Sequence, residues 1–435
     1  MAKAKSKKIT LEEALVPIEE QEYSIPNNWI WIYQNFVCQL SNGEKTIGEE
    51  YPYLEVKYLR GNTDAEIKDS GRFITANTKV ILVDGENSGE VFEVLENGYM
   101  GSTFKALNIS QMVNEKYLLY YVNSKRELLR KNKTGSAIPH LNKKLFFSLG
   151  FPLPPLPEQQ RIVEQIESLF AKLDEAKEKA QEVIDGVETN IEAVLYNAFS
   201  GKLTQYWRKE NSVDYNWENS TLSKIVSGLK YGSSEKSDYN NNGTPVLRIP
   251  NIGEGVIDFS DLKYMQGELE NSSHEVFEND ILIIRSNGSR DLVGKCAIVP
   301  ALERRFAYAS FLIRIKASDK VLPNYLVRYI NSSMARGQLF AKAKSSSGIH
   351  NINSKELGSI RIDVPTIEEQ TEILKIIEPL IKKELDVKDI TSHMIENIAE
   401  LKKSILAKAF RGELGTNVSL EESSIELLKK TIEEG

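Results

Sequence analysis

Apolar residues recur at every seventh position through two long stretches of this chain. In the first, Ile166, Leu173, Ala180, Val187 and Val194 keep the interval, with Phe170, Ala176, Val183, Ile191 and Ala198 between them. In the second, Ile373, Leu380, Val387, Met394 and Leu401 do the same, with Ile377, Ile390, Ile398 and Ile405 between. Heptads sustained this long predict a coiled-coil seam, with the intervening Glu and Lys forming the wet face. Prolines open both stretches, Pro155 and Pro157 in the first and Pro365 in the second, and Gly201 and Gly412 are placed as terminators. Helices of about 40 residues would span roughly 60 Å at ~1.5 Å per residue. Pro379 stands where the first stretch has Leu169, which predicts a kink in the second helix alone. Neither helix can bury such a stripe by itself, so the pattern predicts an antiparallel pair.

The stretches belong to a repeat that runs through the whole chain. Pro155-Leu-Pro-Glu158-Gln159-Gln160 recurs as Pro365-Thr-Ile-Glu368-Glu369-Gln370, an offset of 210 measured from Pro155 to Pro365. Ala198-Phe199-Ser-Gly201-Lys-Leu203 recurs as Ala409-Phe410-Arg-Gly412-Glu-Leu414, at 211 from Ala198 to Ala409. Upstream, Tyr117 to Ser124 matches Tyr325 to Ser332, Gly135 to Asn142 matches Ser347 to Asn353, and Lys79–Val83 matches Asp280–Ile284. Matches in constant order at nearly constant spacing argue against one large domain with coincidental motifs. Each half reads as a globular segment followed by a long helix. Within the globular segments, Lys79–Val83 with Glu90–Leu95 and Asp280–Arg285 with Val293–Val299 read as strands. Glu115–Lys131 and Pro323–Lys344 read as helices. The fold class is therefore mixed α/β (α+β): two globular domains, a pair of long antiparallel coiled-coil helices and an internal pseudo-two-fold repeat. The boundaries read as 1–21 (basic tail and short helix), 22–151, 152–204 (helical), 205–363, 364–415 (helical) and 416–435 (tail).

The net charge of −7 looks wrong for a nucleic-acid partner until it is partitioned. Residues 155–200 hold four Lys/Arg against ten Asp/Glu, and residues 411–435 hold three against six. The acid sits in the helical stretches and the tail, while the globular segments are about neutral. Cys38 and Cys296 are the only cysteines, which excludes a disulfide framework, fits a reducing cytoplasm and predicts two buried apolar residues. With only four histidines besides, no metal site is expected. No apolar run approaches the ~18–20 residues of a membrane span. The chain has no Gly-x-x-x-x-Gly-Lys-Ser/Thr loop, no Gly-rich nucleotide turn between strand and helix, and no Asn-Pro-Pro-aromatic tetrapeptide. His140 and His350 occupy equivalent repeat positions without a partnered Ser, Cys or carboxylate motif, which favours a structural or DNA-contact role over catalysis.

The order of globular segment, Pro152-Leu-Pro-Pro-Leu-Pro-Glu-Gln-Gln160, long helix and Ala-Phe-Ser-Gly-Lys-Leu, then all of it again, resembles the specificity subunits of type I restriction–modification enzymes. The likeness runs from about residue 20 to 415. It implies two target-recognition domains that read a bipartite, asymmetric DNA sequence with a non-specific spacer. It also implies two helical regions that bind two methyltransferase subunits, and through them the restriction subunits. Such a chain is not an enzyme and binds no cofactor; S-adenosylmethionine, ATP and Mg belong to its partners. The helical rod would then set the gap between half-sites.

Base readout favours Arg, Lys, Asn and Ser/Thr on loops, and phosphates favour Lys and Arg. The candidates in the first domain are Lys57, Arg60, Asn87, Ser88, Tyr99, Ser102, Thr103, Lys105 and Lys133. In the second they are Arg248, Arg285, Asn287, Arg290, Lys342, Lys344 and Ser346. Candidate partner-binding residues are Pro155, Glu158, Gln160, Phe199, Gly201 and Leu203, with Pro365, Glu368, Gln370, Phe410, Gly412 and Leu414. A stand-alone DNA-binding or coiled-coil structural protein remains the competing reading, followed by an enzyme with a diverged site.

Overall fold

A computed structural model describes residues 10–135, 139–240, 242–266, 269, 272–342, 344–346 and 348–434, apart from the side chains of 272, 344–346 and 434. Lys3, Lys5, Lys7 and Lys8, part of the Gly135–Asn142 repeat and Ser347 lie outside those residues. Both long helices are present, Leu156–Phe199 and Ile367–Phe410, each of 44 residues. The second continues through Pro379 as one helix. The chain divides into two compact units, residues 1–179 with 394–435 and residues 180–393, so each unit holds part of both helices.

In unit one, the Ile30–Tyr33 strand pairs antiparallel with Gly150–Leu153, which leads directly into the first long helix. A four-stranded sheet runs in the order Cys38–Ser41, Phe104–Ile109, Lys79–Leu82, Val91–Glu93. Three further strands, Glu44–Leu54, Ile67–Ile74 and Gly98–Met100, pair with one another. Its largest core joins Trp29, Val37, Tyr117, Tyr121 and Phe151 to Ile162 and Ile166 of the first helix and to Leu406, Ala409 and Phe410 of the second. The start of one helix therefore lies with the end of the other, an antiparallel pairing. Lys402 Nζ donates to Asp174 at 2.5 Å and sits 4.9 Å above the Phe170 ring.

Unit two repeats the plan. Glu218–Thr221 pairs with Arg361–Val364, which leads into the second long helix. The corresponding sheet runs Val226–Tyr231, Leu312–Ala317, Ile281–Ile284, Cys296–Ile298, with Gly255–Val256 added at its edge. Its core joins Leu195, Ala198 and Phe199 to Ile373, Ile377 and Ile381, and Asn190 Nδ2 donates to Glu384 at 3.2 Å. The extra length of this unit forms a second four-stranded sheet, Ser237–Asp238, Lys263–Gln266, Gly243–Leu247 and Ala307–Tyr308.

The paired-strand expectations hold within a few residues, and both cysteines are buried as free thiols. Burial pushes the Cys38 thiol up to about 12. The two shorter helices are corrected, because each is broken in two. One splits into Glu115–Ser124 and Arg126–Lys131, where Lys125 takes ψ 0°, and the other into Pro323–Asn331 and Ser333–Lys342, where Ser332 is extended. Lys344 belongs to a strand instead.

The seam needs a larger correction. On the first helix Ile166, Ala180 and Val187 are buried, Leu173 and Val194 partly so, and Val183 is exposed. On the second only Ile373 of the heptad set is buried, and Val387 is half-buried; Leu380, Met394 and Leu401 are 40%, 46% and 50% exposed. Burial follows Ile373, Ile377 and Ile381, then Ile398, Leu406 and Ala409. Leu380 is exposed one heptad after the buried Ile373, whereas Ile166, Ala180 and Val187 all stay buried, so the two helices do not share one seven-residue buried series.

Both helices end at glycines in the left-handed region, Gly201 at φ 74° and Gly412 at φ 73°. A Cβ at Gly201 would lie 2.5 Å from the Tyr215 ring, and one at Gly412 would lie 2.4 Å from Pro26. Left-handed backbone alone costs a non-glycine residue roughly 1–2 kcal/mol, and the clashes add to it. Gly201→Ala and Gly412→Ala should each lower the urea midpoint, whereas Gly186→Ala, which meets nothing within 4 Å, should not.

Candidate functional site

A carboxylate is costly to bury unless its lone pairs are engaged. Glu158 and Glu369, on the first turns of the two helices, are 0% and 1% exposed, and both are engaged by tryptophan. Trp29 Nε1 donates to Glu158 at 2.8 Å, and Trp217 Nε1 donates to Glu369 at 2.9 Å. Asn417 completes the first site, donating at 2.8 Å. Thr204 at 2.6 Å and the buried Arg208 guanidinium complete the second. Burial pushes the Glu158 carboxyl up, against the hydrogen bonds from Trp29 and Asn417.

The neighbouring glutamines repeat the logic. Gln159 accepts from the Asn114 amide at 2.7 Å and donates to the Met112 and Pro154 carbonyls. Gln370 accepts from Leu322 at 2.8 Å and donates to the Lys320 and Pro365 carbonyls. Asn114 and Leu322 are the residues that cap the helices beginning at Glu115 and Pro323. Role for role, Glu158 corresponds to Glu369 and Gln159 to Gln370, an offset of 211 rather than 210. Pro154, not Pro155, is thus the counterpart of Pro365.

The helix ends close the same junctions. Phe410 lies 5.4 and 5.3 Å from the Tyr117 and Tyr121 rings, and Phe199 lies 5.3 and 5.1 Å from Tyr325 and Tyr329. The four tyrosines donate to carbonyls of the strands entering the long helices, at Pro152, Gly150, Asp363 and Arg361. The partner-binding assignments are corrected accordingly. Pro155, Glu158, Phe199, Gly201, Pro365, Gln370 and Phe410 are buried in their own units, and Leu203, Gly412 and Leu414 are half-buried; only Gln160 and Glu368 are exposed. The seven buried residues serve their own junctions, while the three half-buried and two exposed ones keep atoms at the surface.

The DNA-contact candidates scatter more. Ser88 and Tyr99 are corrected: both are fully buried, and the Tyr99 hydroxyl donates to the Glu49 carbonyl at 2.7 Å. Lys57, Arg60 and Ser102 are exposed, and Asn87 and Thr103 are half-buried. Arg60 pairs with Glu90, Lys133 donates to Glu86 at 2.5 Å, and Lys105 donates to Asn42. In unit two, Arg248 is held by Asp261 at 3.0 Å. Arg285 lies 4.8 Å over the Tyr231 ring and Arg290 5.1 Å over Phe340. Asn287 pairs across strands with His350 on one small sheet, and Arg285, immediately before that strand, accepts from the Ile352 amide at 2.9 Å. Lys342 is half-buried beside that sheet, while the side chains of Lys344 and Ser346 lie outside the described residues. His140 does have a carboxylate partner, Asp84 at 2.7 Å, supplied from a distant loop that spacing along the chain could not reveal. Sequence reasoning also missed Lys45, Arg72 and Lys143. Burial, then the charges of Arg72 and Lys143, pull the Lys105 amine below its ordinary range, so these cations are neighbours.

Comparison with known proteins agrees with this duplicated plan. The model of the type I restriction modification DNA specificity domain matches residues 34–184 and again 215–396. The chain therefore belongs to the type I restriction–modification DNA specificity family, and its role is DNA recognition. It is 28% identical to the EcoKI specificity subunit of Escherichia coli over 76% of this chain and 74% of that one. It is 26% identical to the MjaVIII specificity subunit of Methanocaldococcus jannaschii, over 90% and 94%. A solved chain from a type I restriction–modification assembly shares the fold with a TM-score of 0.70 at 18% identity, covering 90% of this chain and all of that one. The HsdS subunit of Thermoanaerobacter tengcongensis does so at 0.52 and 18%, over 91% of this chain and all of its own.

The two junctions differ in one respect that stability measurements can read. Glu369→Ala strands the buried Arg208, and breaking a buried ion pair costs about 3–5 kcal/mol. Glu158→Ala strands only neutral donors, worth about 1–3 kcal/mol. Glu369→Ala should therefore lower the unfolding midpoint further than Glu158→Ala, measured by urea titration with tryptophan fluorescence.

Proposed function

We propose that the two globular domains read the two unlike halves of a bipartite DNA target, and that the chain scaffolds two methyltransferase subunits without a catalytic site of its own. The observation that carries this reading is the close duplication of the helix junctions beneath surfaces that differ: the frame is repeated and the readers are not. Methyl transfer from S-adenosylmethionine and ATP-driven, Mg-dependent restriction then fall to partner subunits. A stand-alone DNA-binding protein is less well supported, because the long helices expose apolar side chains that such a protein would leave wet. Ile390 is 69% exposed, and Leu380, Met394 and Leu401 join it. Apolar residues of this size on an otherwise charged helix suit coverage by a partner chain. These residues, rather than the buried helix termini, are assigned to the methyltransferase contact.

Replacing residues 22–151 with the equivalent domain of a relative should change one half-site and keep the other, read by methylome sequencing of cells carrying the complete system. Simultaneous change of both half-sites would sink the reading of independent domains. Ile390→Asp and Leu401→Asp should reduce co-purification of the methyltransferase subunits at least tenfold while the chain keeps its unfolding midpoint.

A further inference from the structure

In unit one the Glu44–Leu54 strand has only Leu54 buried, and the Ile67–Ile74 strand only Ile74. Beyond the ring cluster of Tyr51, Phe73 and Tyr99, packing accounts for little of these two long strands. Their side chains are instead sorted by charge. Cross-strand partners share a face, and faces alternate along a strand. The register pairs Lys45 with Arg72 and Ile47 with Ser70, and Lys68 continues the same face two residues before Ser70. The opposite face carries Glu44 with Phe73, Thr46 with Gly71, and Asp69. That second face is the packed one, since a Cβ on Gly71 would lie 2.8 Å from Tyr99, which is fully buried. The outward face between Lys45 and Lys68 thus holds three cations, a serine, an isoleucine and Tyr51, the partner of Lys68, with acid only at its edges, where Asp69 accepts from the Ser70 hydroxyl at 3.0 Å and Glu66 lies 3.4 Å from Lys68.

The arrangement works against the free protein. Like charges directly opposite one another on paired strands are destabilising, yet Lys45 faces Arg72 and neither has an acid partner among the described residues. Lys105 and Lys143 add to the same positive field from the adjoining sheet and helix start, offset at Lys105 by Asp84. Glu49, in the neighbouring bulge, is occupied by the Tyr51 hydroxyl at 2.5 Å. Ile47 is 88% exposed beside Gly48 at φ 106°. A solvent-facing ribbon with two cations, Lys45 and Arg72, that have no acid partner among the described residues, and with a small polar and an apolar residue at its centre, matches what a DNA groove presents: phosphates outside, base edges and thymine methyls within.

Building on the assignment of unit one as a DNA-recognition domain, we propose that the Lys45–Ile47/Lys68–Ser70–Arg72 face of this ribbon lies in a groove of the target. Lys45 and Arg72 contact phosphates, and Ser70 and Ile47 meet base edges. Two-stranded ribbons are of a size the major groove admits.

The test uses the chain in complex with its methyltransferase subunits and a duplex bearing the sequence that the wild-type complex methylates. Each lost phosphate contact should flatten the plot of log affinity against log salt by ~0.9, and K45Q/R72Q together by ~1.8. The same double variant should melt no lower than the wild type, because it removes cross-strand repulsion; a purely structural pair would lose stability and keep its salt slope. Ser70→Ala and Ile47→Thr should relax or alter one half-site in the methylome and leave the other unchanged. K45Q alone, at an exposed position, repeats the slope measurement with a smaller step of ~0.9 should the double variant melt early. An unchanged salt slope and an unchanged half-site in folded variants would overturn the ribbon assignment while leaving the proposed function standing. A wild-type complex that modifies no defined sequence would remove the functional reading itself.

Discussion

Each long helix begins with a buried carboxylate and a buried carboxamide, and the rest of each unit is arranged around satisfying them. Glu158 and Glu369 need donors, and a tryptophan just before the first paired strand of each unit supplies one. Gln159 and Gln370 hold the capping residue of a neighbouring helix with one end and two loop carbonyls with the other. In unit one, three segments distant in sequence, at Trp29, Met112–Asn114 and Asn417, are thereby fixed to one helical turn. Unpaired buried polar groups cost more than ordinary hydrogen bonds return, so the junction tolerates few alternatives, and this accounts for its appearance twice in nearly the same form.

The repeat closes in a way that linear reading hides. Unit two holds a continuous run from Gly201 through Arg208 to Trp217, so the residues that close its junction follow the first helix directly. In unit one the same tasks are divided between both ends of the chain. Trp29 comes from the N-terminal side, and Thr416 and Asn417 come from beyond the second helix. Arg161 binds the Thr416 carbonyl and makes a bidentate pair with Glu421 at 2.9 Å, while the Ser424 amide donates to Asn28. The helix Ser424–Glu434 sends Leu428 into the unit-one core. Segment 416–434 is therefore structural, a noncovalent stand-in for the covalent link present in unit two.

Against this fixed frame, the surfaces of the two units diverge. Unit two places arginines over aromatic rings, Arg285 on Tyr231 and Arg290 on Phe340, and adds a second sheet. Unit one carries the charge-sorted ribbon and the Lys105–Arg72–Lys143 neighbourhood. The division fits physical demands of opposite kinds. Junction residues are constrained by buried hydrogen-bonding geometry, whereas surface residues are constrained only by the partner they meet.

The sequence by itself determined the duplication, the two long helices with their proline starts and glycine stops, the central strands and the family, because these rest on residue type and spacing along the chain. The matching of Tyr117 and Tyr121 with Tyr325 and Tyr329 was equally legible, since a repeat preserves order even where identity is lost. What each repeated residue does was decided by tertiary structure. Glu158 and Phe410 read as partner contacts because they sit in the repeated motifs whose resemblance implies methyltransferase-binding helical regions; their burial depends on Trp29 and Tyr117, which only folding brings near. The seam on the second helix likewise follows the 3.6-residue turn and its actual neighbours, not the heptad count that named Leu380, Met394 and Leu401. Strand register, finally, is invisible to composition: whether Lys45 opposes Arg72 or lies one residue away decides which face of the ribbon carries the charge, and that is fixed by long-range pairing alone.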